Sequence, residues 1–145
     1  MLYLDTCVLL AALTPEAHTP AAIQVLQDTS APLAISPWCT TELHSALGLK
    51  VRTAALSHTQ AEAVLHIYQR SLEPALLMLE VDPSDFRHAN ACLRRWPSGL
   101  RAADALHLAI AAGRGATLCS LDTALVAAAD ELGLPARLLT PTHAD

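Results

Sequence analysis

The side chains best suited to chemistry in this sequence are carboxylates set among apolar residues. Asp5 follows Leu2-Tyr3-Leu4 and precedes Thr6-Cys7-Val8-Leu9-Leu10. Asp104 opens a run of Ala, Leu and Ile, and Asp122 lies just past the Thr117–Ser120 segment that follows that run. Glu42 stands within Thr40-Thr41-Glu42-Leu43-His44. An ionised carboxylate withdrawn from water is costly unless it is paired or bound to a metal. No Lys or Arg precedes Lys50, so a cationic partner for Asp5 must come from far along the chain or be a metal ion. Carboxylates gathered at one rim would suit Mg2+ or Mn2+, hard ions that prefer oxygen ligands. Three of the acids also have a plain structural reading. Asp122 fits a helix N-cap, Asp104 in a first helical turn is favoured by the helix dipole, and Glu42 among polar neighbours fits a solvated side chain.

Which reading holds depends on the elements that carry these residues. Strands are expected at Leu2–Leu4, Leu33–Ser36, Leu76–Val81, Thr117–Ser120 and Ala136–Leu139. Thr6–Leu13 reads as a helix, and Thr19-Pro20 restarts one that runs to about Thr29, with Thr19 as N-cap and Pro20 at the first helical position. Ser36-Pro37 repeats that signature and opens a helix to about Lys50. Ser57 and Gln60 fit a capping box for a helix reaching about Leu72. Asp82 caps a helix that ends near Arg95. Ala102–Ala112 is helical and is stopped by Gly113-Arg114-Gly115. Asp122 caps a last helix to Leu132, closed by Gly133.

Strands that alternate with helices imply parallel pairing through right-handed crossovers. Uniformly apolar strands imply helices on both faces. The expected fold is a three-layer α/β/α sandwich with a mainly parallel sheet of about five short strands, forming one domain over residues 1–145. In such sheets a ligand binds beyond the carboxyl ends of the strands, the rim where Asp5 and Asp122 would lie and where Glu42 and Asp104 could join them.

Bulk properties are consistent with this. A chain of 145 residues, 52% hydrophobic and 16% charged, folds as an ordinary domain with a real core. Aromatic residues make up only 3%, so Leu, Ala, Val and Ile must fill that core. The net charge of −5 argues against holding nucleic acid by bulk electrostatics but leaves room for a local basic patch. Lys50, Arg52, Arg94, Arg95 and Arg101 are the candidates. Arg94-Arg95-Trp96 joins paired cations to an aromatic ring able to stack a base, and it reads equally well as a solvated helix end. Cys7, Cys39, Cys92 and Cys119 are too scattered for a zinc knuckle and fit free thiols in a reducing cytosol. The start MLYLDTC lacks the basic region of a secretory leader, and no apolar stretch is long enough to cross a bilayer. His107, three residues after Asp104 and on the neighbouring helix face, reads as structural before metal-ligating. His44 should point away from Glu42, and His143 sits in a polar tail.

The segments LYLDTCVLLAAL, TTELHSAL and LRAADALHLAIAAGRGATLCSLDTALVAAADELGL resemble the PIN-domain family, and within it the VapC-type ribonuclease toxins of bacterial toxin–antitoxin pairs. The resemblance spans nearly the whole chain, and Asp104-Ala-Leu-His-Leu-Ala with the later Ser120-Leu121-Asp122 is its most specific part. It implies a Mg2+- or Mn2+-dependent endoribonuclease whose catalytic and metal-holding acids fall on Asp5, Glu42, Asp104 and Asp122. Thr6 and Ser120 fall where the family places small hydroxyl residues beside the site. With Arg94, Arg95 and Arg101 they are the candidate substrate contacts. The resemblance further implies a cytoplasmic homodimer, an RNA substrate, a cognate antitoxin as inhibitory partner, and no membrane. Two other readings compete. A catalytically silent PIN-like module would bind a partner protein through its Ala/Leu-rich helices. A phosphatase with an aspartyl nucleophile would want a second Asp where Cys7 stands.

Overall fold

Strand β1 (Leu2–Leu4) is the middle strand of a five-stranded sheet in the computed structural model, which describes residues 1–28 and 30–140. Its neighbours are β2 (Leu33–Ile35) and β4 (Thr117–Ser120), with β3 (Leu77–Met78) outside β2 and β5 (Ala136–Leu138) outside β4. All four pairings are parallel, and Tyr3 of β1 lies opposite Ala34 on one side and Leu118 on the other. The helices are α1 (Thr6–Leu13), α2 (Thr19–Gln27), α3 (Pro37–Arg52), α4 (His58–Ile67), α5 (Pro83–Leu93), α6 (Ala102–Gly113) and α7 (Thr123–Glu131). With right-handed crossovers, the chain runs outward from β1 to β3 with α1–α4 on one face. It then returns across the sheet with α5–α7 on the other. The direction of winding reverses between β1 and β4, so a crevice opens beyond their carboxyl ends.

Small residues let these layers approach closely. Helix α6 is buried along seven consecutive residues, Ala105 to Ala111, because it packs against both α5 and β4. A helix covered on all sides must be apolar all round, which accounts for the composition of that segment. The main core joins Tyr3, Leu4, Val8 and Leu9 to Ile35, Leu43, Leu108, Ile110 and Leu118. Gly115 takes a φ of +63° between α6 and β4, a conformation that a side chain disfavours. Arg114 ties the same corner together by hydrogen bonds to the Asp85 carboxylate and the Glu80 carbonyl, with Asp82 at 3.5 Å.

The structure departs from the sequence expectation at several local points. Thr19 is the first residue of α2 and not its cap; its hydroxyl is drawn instead to the carbonyls of Ala11 (2.7 Å) and Thr14 (3.0 Å), which joins α1 to α2. Ser36 occupies the N-cap position of α3 but makes no side-chain cap bond, because its hydroxyl pairs with Tyr3 at 2.7 Å. The helix expected to reach Leu72 ends at Ile67 and passes through a π-helical turn (Tyr68–Leu72) into a 3-10 turn (Glu73–Ala75). Pro74 cannot continue an α-helix, since it lacks an N–H and clashes with the preceding turn. Strand β3 is two residues long rather than Leu76–Val81, and Leu77 is 51% exposed. As an edge strand it is not covered on both sides like β1. Thr29 and His143 lie outside the described residues. Among the described residues no helix is long and apolar enough to cross a membrane.

Candidate functional site

Asp5 leaves the end of β1 as the N-cap residue of α1, yet its side chain makes no cap bond. Its Oδ2 accepts instead from Ser120 Oγ at 2.6 Å and from Cys7 Sγ at 3.1 Å. Ser120, at the end of β4, is wholly buried and also accepts from the Asp122 backbone N–H at 3.0 Å. The ends of the two central strands are thus stitched together behind Asp5. Asp5 is 7% exposed and borders the crevice.

Asp122 caps α7, with Oδ1 accepting from the N–H groups of Ala124 (2.8 Å) and Leu125 (3.1 Å). It also lines the crevice together with Asp5, Thr6, Cys7, Glu42 and Asp104. Asp122 is therefore a helix cap that also borders the crevice. Each oxygen has its own task, Oδ1 in the helix end and Oδ2 left free.

Glu42 lies on α3 and is half-buried. Its Oε1 accepts from Thr6 Oγ1 at 2.8 Å and from His107 Nε2. Burial works against the charge on Glu42, but the His107 and Thr6 hydrogen bonds outweigh it and hold the carboxyl below its ordinary value. Asp104, in the first turn of α6, accepts no side-chain hydrogen bond among the described residues. Burial raises its pKa, and the charges of Asp5, Asp122 and Glu42 add to the rise, with His107 pulling the other way. Neighbouring like charges disfavour the ionised form of such an acid, and a nearby cation would favour it.

His107 is the residue that sequence reasoning underweighted. It is completely buried on α6. Nε2 meets Glu42 and lies 3.6 Å from Asp5 Oδ1, while Nδ1 is 3.0 Å from the Tyr3 hydroxyl. Tyr3 is held in turn by Ser36 at 2.7 Å and Cys39 at 3.3 Å. Burial alone would lower the imidazole pKa; Cys39, Glu42 and Asp5 outweigh it and push the value up to about 10. His107 is thus a partner for Asp5 drawn from far along the chain. The signal available in sequence was its place three residues after Asp104, which puts it on an adjoining face of one helix.

The remaining candidates divide. Arg101 borders a groove that continues from Asp104 and Asp122 to Ser98 and Gly99. Arg94 and Arg95 are exposed at the end of α5 and do not border that groove or the crevice, while Trp96 in the next turn is 82% exposed. Lys50 is taken up by Glu16 at 3.1 Å. His44 turns away from the acids, with Nδ1 2.8 Å from the Thr40 carbonyl. Thr6 donates to Glu42 and Ser120 to Asp5, and Thr6 also borders the crevice.

An α/β fold wound in this order, with carboxylates at its switch point, defines a class of proteins, and the chain can be placed in it. It belongs to the PIN domain family, which it matches over residues 2–131. Among solved structures it is similar to FitAcB from Neisseria gonorrhoeae, at 20% identity over 99% of this chain and 100% of that one, with a TM-score of 0.71. It is similar to VapBC2 from Rickettsia felis bound to a DNA fragment from their promoter (16% identity, 97% and 100% covered, TM-score 0.67). It also resembles VapC20 of Mycobacterium tuberculosis, a sarcin–ricin loop cleaving toxin (18% identity, 88% and 95% covered, TM-score 0.67). No curated protein matches it. At these identities the likeness to the solved structures concerns the fold.

Proposed function

We propose that the chain is a divalent-metal-dependent endoribonuclease, the toxin of a bacterial type II toxin–antitoxin pair. One observation carries the reading: Asp5, Glu42, Asp104 and Asp122, drawn from distant parts of the sequence, border one crevice. Membership of the PIN family supports it, as does the similarity to FitAcB, VapBC2 and VapC20.

The donor set fits a hard cation. Asp104 offers both oxygens, while Asp5 and Asp122 each keep one oxygen clear of the hydrogen bonds that fix the other. Oxygen-rich sets of this kind suit Mg2+ or Mn2+. When bound, such an ion supplies Lewis-acid chemistry, neutralising phosphate charge and acidifying water. The chain's own residues would do the rest. Ser120 and Cys7 fix Asp5, the α7 cap fixes Asp122, and Asp5, Asp104 and Asp122 together would hold the cation. Glu42 is fixed through Oε1 by Thr6 and His107, so Oε2 orients the attacking water. Arg101 faces the groove where the phosphate backbone would enter. Trp96 stands beyond it as a platform for a base. A cognate antitoxin, a homodimeric assembly and a cytoplasmic setting belong to the same proposal.

The test is cleavage of RNA by the purified protein with Mg2+ or Mn2+, with chelator, and as the Asp104→Asn variant. Cleavage that needs the metal is expected. The variant should lose at least the ~10–100-fold that removal of an outer-shell partner costs a metal site. Equal activity of the Asp104→Asn variant, or cleavage indifferent to chelator, would refute the proposal.

A further inference from the structure

We propose that Tyr3, from inside the sheet, is a positioning residue for Glu42: its hydroxyl sets the imidazole of His107, and the imidazole sets the carboxylate. This rests on the reading of the crevice as a nuclease site and concerns how one of its acids is aimed. Tyr3 is the middle residue of the central strand and is wholly buried. A buried phenol hydroxyl is costly unless it is hydrogen-bonded, and a Phe would fill the same space without that demand. The hydroxyl lies 2.7 Å from Ser36 Oγ, 3.3 Å from Cys39 Sγ and 3.0 Å from His107 Nδ1. Cys39 donates in turn to the Leu4 carbonyl at 3.4 Å. Ser36 stands at the head of α3 without capping it, so its hydroxyl serves Tyr3 in place of the helix.

His107 is the one polar side chain among the seven consecutive buried residues of α6. Strand β1, the head of α3 and helix α6 thus each commit a polar group to one buried cluster. Tyr3, Ser36 and Cys39 do not border the crevice, and the cluster reaches it through His107. Nε2 meets Glu42 Oε1, with Asp5 Oδ1 farther off at 3.6 Å. A hydrogen bond at one imidazole nitrogen fixes the orientation of the ring and of whatever the other nitrogen engages. Asp5 has its own supports in Ser120 and Cys7. Glu42 is held by Thr6 and by this ring, so the hydroxyl of Tyr3 bears on Glu42 first.

The kinetics of RNA cleavage by the full protein with Mn2+ test this in Tyr3→Phe, Glu42→Gln and the double variant. Tyr3→Phe keeps the ring that packs on the imidazole at 5.7 Å between centroids and drops the hydroxyl. Its kcat should fall roughly 10-fold, the lower end of what loss of an outer partner costs a site, with KM for RNA and the Mn2+ dependence unchanged. In the Glu42→Gln background the same substitution should cost nothing further. Additive losses, or an unchanged kcat in Tyr3→Phe, would overturn the inference while leaving the nuclease reading intact. So would a weakened Mn2+ dependence with kcat restored at saturation, which would make the cluster a support for the cation and not for Glu42. A wild type that cleaves no RNA would remove both. A second readout needs neither metal nor substrate. The side-chain carboxyl 13C resonance of Glu42 in the metal-free protein should shift in Tyr3→Phe, and an unmoved resonance would overturn the inference. If Tyr3→Phe does not fold, Ser36→Ala, which gives up no cap bond, decides in its place: the same loss confined to kcat, at smaller size, is expected, and an unchanged kcat would overturn the inference.

Discussion

Asp104 concentrates the physics of the site in one side chain. It is half-buried, it accepts no side-chain hydrogen bond among the described residues, and its pKa is raised by burial and then by three neighbouring acids. A carboxyl whose folded pKa lies above its unfolded one loses stability for the fold as pH rises from the ordinary carboxylate value through the raised one, because the native state then must give up a proton it favours. Asp104→Asn removes that repulsion. The variant should melt at a higher temperature than wild type in chelator at neutral pH, and it should lose the rise in melting temperature that millimolar Mn2+ gives the wild type. A scanning calorimeter reads both. His107 moves stability with pH in the same direction, in a higher window. Its pKa is raised to about 10, so its contribution is full below its ordinary value of 6.5 and is lost between there and about pH 10. The stability difference between wild type and His107→Gln, from urea unfolding, should therefore be largest in mildly acidic buffer and shrink through that window. At this scale the sequence revealed the four acids, since a carboxylate next to an apolar strand needs an explanation. It did not reveal the Ser36–Tyr3–His107–Glu42 chain, because hydrogen bonds between residues this far apart in sequence are set by the packing of β1, α3 and α6.

At the scale of elements, Asp122 shows how a helix end and a site can share a residue. The cap uses Oδ1, and Asn caps a helix about as well as Asp. Asp122→Asn should thus leave the melting temperature in chelator nearly unchanged while lowering metal-dependent RNA cleavage. Asp122→Ala should lose both, with about 1 kcal/mol of stability gone with the cap. Equal cleavage by wild type and Asp122→Asn would reduce the residue to a cap alone. Capping signals in the sequence were legible where the side chain had no competing partner. Ser57 with Gln60, and Asp82 with Asp85, form the reciprocal boxes their spacing suggests. Thr19 and Ser36 carry the same local signature, but tertiary partners claim their hydroxyls, the α1 carbonyls in one case and Tyr3 in the other. Local sequence cannot weigh a distant bond against a nearby one. The end of α4 at Ile67 left no local signal, since Pro74 bars an α-helix only near the expected end at Leu72.

For the molecule as a whole, alternation of short apolar strands with helices was enough to indicate a parallel sheet covered on both faces, and the order β3-β2-β1-β4-β5 then puts the crevice beside β1 and β4. Sequence alone left the pairing of strands open, so the meeting of Asp5 with Ser120 and Asp122 rested on resemblance until the fold placed β1 next to β4. A chain of net charge −5 has few cations with which to hold RNA. Of the candidate basic residues, Arg101 borders the acidic groove. Arg101→Ala should weaken RNA binding across sequences and reduce the slope of log affinity against log salt by about 1, as read by fluorescence anisotropy with Ca2+ in place of Mg2+; an unchanged slope would remove it from the path of the RNA. The central claim is that Asp5, Asp104 and Asp122 form a cation site beside Glu42, and anomalous diffraction from crystals soaked in Mn2+ tests it most directly. We predict Mn2+ in the crevice, within bonding distance of Asp5 and Asp104. Crystals that take up no Mn2+ there, or that carry it only elsewhere on the molecule, would contradict the account.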